Sequence, residues 1–130
     1  MQTIQFIPCE SGGSGTSYQG KIMASYYDLV DMFGKPAFEG IGDKVTTQWV
    51  IDYQVSDGEG ERKYGVFTLY DWRFARDLNN NSAITEWNVG GNGYDASTAA
   101  DIACQLFADN QESLVYAKLH ELKEKDEFIL

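Results

Sequence analysis

The sequence predicts an α+β domain: a small antiparallel sheet of about four strands, with one short helix and a C-terminal helical region packed on it. Three features carry this reading. Two runs of strand-forming residues, VTTQWVIDYQV and YGVFTLYDW, flank the polar stretch SDGEGERK, as in a long-looped hairpin. A capped apolar segment, SYYDLVDMFGKP, precedes them. After Ser97, apolar residues return at helical rather than strand spacing.

In chain order, TIQFIPC alternates polar and apolar residues as a half-buried strand does, and Pro8 ends it before a glycine-rich loop. Ser25 with Asp28 forms a helix start signal. Tyr26, Leu29, Val30 and Phe33 then supply one apolar face, and Gly34 with Pro36 stops the helix. Val45, Thr47, Trp49, Ile51, Tyr53 and Val55 share one side of the second strand. The third strand follows the acidic turn, and ITEWNVGG supplies a fourth. Ser97 is the expected cap of the last region, where Ile102, Leu106, Phe107, Val115, Leu119 and Leu122 recur on one face. Asp109 and Asn110 are expected to divide it into two helices. No linker or repeat interrupts residues 1–130, so one domain is expected.

Hydrophobic residues make up 43% of the chain and aromatics 14%, which excludes a charged disordered tail. Twenty acidic residues against ten basic ones give a formal net charge of −10. That balance argues against direct binding to nucleic acid or to anionic lipid, where cations must displace counterions, and it favours a partner with a basic surface. The single histidine, His120, excludes a histidine-rich metal site, and no metal or cofactor is expected. Cys9 and Cys104 are isolated, with no secretory signal or membrane-spanning run, so both are expected to be free thiols in a cytoplasmic protein.

Two glycine motifs imitate nucleotide sites. GTSYQGKI matches a phosphate-binding loop except that Ile22 stands where the magnesium-holding hydroxyl belongs, and the better helix cap lies later, at Ser25. GNGYDA satisfies the loose dinucleotide fingerprint, but the charged LHELKEKDE follows where a parallel strand is required. Neither supports nucleotide chemistry. No catalytic set stands out: a serine nucleophile would have only His120, read as lying on a solvent-facing helix, and carboxylate pairs such as Asp52 with Asp71, which could meet across the hairpin, are more commonly solvated strand-face acids. A non-enzymatic protein is expected.

Two acidic groups are the candidate partner-binding residues: Asp57, Glu59 and Glu61 in the hairpin turn, and Glu121, Glu124, Asp126 and Glu127 in the tail. Such carboxylates imitate a row of phosphates for a basic nucleic-acid-binding protein. The alternative is a small-ligand or nucleotide-binding module in which GTSYQG and NVGG lie side by side. Its candidate residues are Thr16, Ser17, Gln19, Trp87, Gly90 and Gly91.

The ordered blocks GTSYQG, DLVDMFGKP, GDKVTTQWVIDY, YGVFTLYDW and TEWNVGG resemble a group of small bacteriophage-encoded accessory proteins of unassigned function. On this resemblance Gly15, Thr16, Ser17, Gln19, Gly20, Asp43, Lys44, Trp49, Asp71, Trp72, Trp87, Gly90 and Gly91 fall on the shared pattern. The chain departs from it in its longer, more acidic hairpin and in its tail. The resemblance implies a bacterial host cytoplasm. That origin taken together with the acidity makes inhibition of a host defence protein, of the anti-CRISPR or anti-restriction kind, by occluding its basic surface, the first expectation. A structural or assembly factor, working as a homodimer, is the remaining expectation.

Overall fold

The computed structural model describes residues 2–13, 15–40, 45–72, 78–92, 95–111, 113–115 and 119–122. They form strands β1 (Thr3–Cys9), β2 (Ser17–Ala24), β3 (Phe38–Glu39), β4 (Thr47–Ser56), β5 (Arg62–Tyr70), β6 (Thr85–Gly91) and β7 (Leu119–Glu121), with helices α1 (Tyr26–Phe33) and α2 (Ala96–Asn110). The strands make one antiparallel sheet in the order β2-β6-β5-β4-β1-β7, and β3 pairs with β4. This corrects the predicted α+β domain of about four strands. The sheet has seven strands and dominates the fold, and the expected C-terminal helical region yields one helix followed by a strand.

Strand alternation assigns the two faces. Ile4 and Phe6 of β1, Trp49, Ile51, Tyr53 and Val55 of β4, Phe67 and Leu69 of β5, and Trp87 and Val89 of β6 all belong to one buried cluster. Both helices cover that face. Leu29, Met32 and Phe33 of α1 and Ala96, Ala99, Ala100, Ile102 and Ala103 of α2 belong to the same cluster. The rings interlock at angles favoured by their quadrupoles: Trp49 meets Trp87 edge-on at 5.4 Å, and Phe67 meets both Phe6 and Phe33 in the same way. Among the described residues, the opposite face carries no helix.

Helix α1 forms where its sequence predicts. The Ser25 hydroxyl accepts from the Asp28 amide at 3.0 Å, the Asp28 carboxylate accepts from the Ser25 amide at 3.4 Å, and Gly34 at φ 78° donates to Val30. Helix α2 begins after Asp95 rather than at Ser97. Asp95 makes no capping bond; its carboxylate pairs instead with the Lys63 ammonium.

The start of α2 lies so close to the sheet that Gly91 becomes necessary and Gly20 is closely covered. A Cβ on Gly91 would sit 2.1 Å from the Ala96 Cβ, and one on Gly20 would sit 3.1 Å from the Ser97 hydroxyl. Gly91→Ala is therefore expected to lower stability by about 1–3 kcal/mol through overpacking. Urea unfolding measures this directly; an unchanged midpoint would mean that α2 does not rest on β6. Among the described residues, no helix is long and apolar enough to cross a membrane.

Candidate functional site

The fold brings Glu121 of the tail group toward the end of the sheet that carries the acidic turn. Glu121 pairs with Thr3, and Thr3 pairs on its other side with Ser56, the residue before the acidic turn. Strands spaced about 4.8 Å apart put the Glu121 and Ser56 backbones about 10 Å from each other. In the turn the carboxylates are not equivalent. Asp57 accepts from the Glu59 amide at 2.7 Å and the Glu61 amide at 3.2 Å, so it holds the loop shut, while Gly58 at φ 83° and Gly60 at φ 104° supply the reversal. Glu59 and Glu61 are exposed, with neither carboxylate committed to this network. Glu124, Asp126 and Glu127 lie outside the described residues.

The alternative ligand set is also largely assembled. Ser17 pairs with Gly91 and Tyr18 with Gly90 across β2 and β6, and Gln19 sits at a bulge in β2. Its polar groups, however, face each other. Gln19 donates its amide to the Gly91 carbonyl at 3.4 Å, and the Thr16 hydroxyl donates to the Gly13 carbonyl at 2.7 Å, closing the glycine loop over the second face. Gly13 lies against Val50 and Thr68 there, so this loop covers sheet rather than cradling a phosphate. Lys21 stands in mid-strand, with its ammonium 2.9 Å from Glu86; that bond raises its pKa.

Trp87 departs from the set altogether. It is fully buried on the core face, and its indole N–H donates to the Ala24 carbonyl at 3.1 Å, so it offers no ring face to a base. Trp49 is likewise core and donates to the Gly34 carbonyl. Trp72 alone among the tryptophans is exposed, edge-on to Tyr70 at 5.8 Å.

Asp52 and Asp71 do not meet. Asp71 is buried and accepts from the amides of Thr46 and Thr47 at 2.8 and 3.0 Å and from the Thr46 hydroxyl, fastening the start of β4 to the end of β5. Asp52 is exposed on the second face, opposite Val66 and Ile7. His120 lies in β7 opposite Ile4, not on a helix, because Leu119–Glu121 pairs with β1 and the Leu122 amide donates to the Gln2 carbonyl. Its Nε2 is buried without a hydrogen-bond partner among the described residues. Both cysteines are free and partly buried. Burial pushes the Cys104 thiol up to about 12 and also raises Cys9, so neither is a thiolate near neutral pH.

One feature of the second face escaped the sequence reading. Ile7, Asp52, Gln54, Tyr64 and Val66 share that face across β1, β4 and β5 and line an open groove of about 420 Å³. Tyr64 is 68% exposed. The signal was present in the alternation of Asp52 and Gln54 with the core residues of β4, but register alone sets them beside Tyr64 and Ile7. No metal-binding group of histidines, cysteines and carboxylates occurs among the described residues. No family model, curated protein or solved structure matches this chain.

Proposed function

We propose that this chain is a non-catalytic acidic binding protein that occludes the basic, nucleic-acid-binding surface of a partner protein. The observation that carries this reading is the register that pairs Glu121 with Thr3 and Thr3 in turn with Ser56, which brings the Glu121 carboxylate from a distant part of the chain to the end of the sheet where Glu59 and Glu61 are exposed. A formal net charge of −10 adds long-range attraction to a cationic surface. The partner class is a host defence or nucleic-acid-processing protein, as the bacteriophage resemblance implies. The small-ligand alternative is less favoured because Thr16 and Gln19 bond within the fold and Trp87 is core.

The test is a triple Glu59→Ser, Glu61→Ser, Glu121→Ser variant that leaves Asp57 to hold the turn. Its affinity for the basic protein captured by the wild type is expected to fall severalfold at low salt, as loss of unscreened attraction requires. The wild-type complex should also be displaced by the partner's own nucleic acid. Equal binding by the variant, or a complex indifferent to salt and nucleic acid, would overturn the reading.

A further inference from the structure

We infer that the groove beside Asp52 and Tyr64 is an arginine-binding site. The proposal rests on the basic partner above for its natural occupant, but its chemistry is testable on its own. Asp52, in the middle of β4, lines a groove walled by Ile7 and Val66, with Tyr64 and Gln54 as the next cross-strand pair on the same face, and its carboxylate also interacts with the Cys9 thiol. Among the described residues no lysine or arginine pairs with Asp52; the ion pairs formed there engage Lys21 with Glu86 and Lys63 with Asp95.

These groups suit one side-chain chemistry. A guanidinium is planar: it offers a fork of donors to a carboxylate and lays its face on an aromatic ring, and its hydration is weak enough to tolerate apolar walls. A lysine ammonium carries the same charge but is strongly hydrated and cannot match two carboxylate oxygens at once. The groove, at about 420 Å³, is at the small end of ligand pockets and suits a single side chain with its neighbouring backbone. The exposed Tyr64 ring supplies the stacking surface, and the Gln54 amide oxygen is a further acceptor.

The test uses N-acetyl-Gly-Arg-Gly-amide with its lysine and citrulline counterparts, titrated into the whole chain at moderate salt and followed by amide chemical shifts. Shifts should centre on Asp52, Gln54 and Tyr64, with the arginine peptide bound several times more tightly than the lysine peptide. Asp52→Asn should weaken it about tenfold. Tyr64→Leu should weaken it about threefold while Tyr64→Phe retains it. Both substituted positions are exposed, and an unchanged thermal midpoint certifies each fold. Equal affinity for the arginine and lysine peptides, or an Asp52→Asn variant that binds as the wild type does, would overturn the site. Failure of the broader reading looks different: the variant lacking Glu59, Glu61 and Glu121 would hold the basic protein unchanged while arginine selectivity in the groove persisted.

Discussion

Trp87→Ala is expected to lower unfolding free energy by about 3–5 kcal/mol. The indole is fully buried, packs edge-on against Trp49 at 5.4 Å, and donates to the Ala24 carbonyl at 3.1 Å. Truncation would leave a cavity between β6 and its helices and an unanswered carbonyl at the end of β2. Trp87→Phe keeps most of the ring and loses only the hydrogen bond and some volume, so a cost nearer about 1–2 kcal/mol is expected. Urea unfolding at constant m-value separates the two variants. The experiment bears on function as well, because any binding lost by Trp87→Ala should return when measured below its unfolding transition. A Trp87→Ala protein of wild-type stability would put the ring outside the core and reopen the stacking role.

Asp71→Ala is expected to cost about 3 kcal/mol for a different reason. Nothing large leaves the core; instead the amides of Thr46 and Thr47 and the Thr46 hydroxyl lose a buried acceptor, and each orphaned buried donor costs about 1–3 kcal/mol. The loss is not a simple sum, since Thr46 can relax toward solvent. Asp71→Asn keeps one acceptor oxygen and should lose less. Amide hydrogen exchange gives the local signature: Thr46 and Thr47 should exchange faster in Asp71→Ala, while the centre of β4, paired at Tyr53 with Phe6 and Gly65, should change only with global stability. Unchanged protection at both threonines would show that the carboxylate does not fasten β4 to β5.

Elements whose information is local were legible in the chain. Helix α1 was readable from Ser25, Asp28 and Gly34 because its capping bonds join residues three or four apart. The β4–β5 hairpin was readable from alternation and an acidic, glycine-bearing turn, and its Asp57 closes the loop within five residues. Strand β2 was not readable. Its inward positions include Gly20, bare because Ser97 lies over it, so a period-two apolar signal is cut to Ile22 and Ala24. Strand β7 was misread as helix because Val115, Leu119 and Leu122 fall at helical spacing, whereas its conformation comes from ladder bonds to β1 more than a hundred residues earlier.

The same division runs through the candidate site. The sequence by itself determined the acidity, the isolation of the cysteines and of His120, and the hairpin that carries Glu59 and Glu61, since each depends on residue identity and short-range bonding. Tertiary structure alone decided that Trp87 is core, that Asp52 and Asp71 lie apart, that Glu121 joins the hairpin end, and that Asp52 shares a groove with Tyr64. Those are matters of strand order and register. A shift of one residue would move every side chain of a strand to the opposite face, and outside the hairpin closed by Asp57 it is burial of the core against α1 and α2 that selects among the registers.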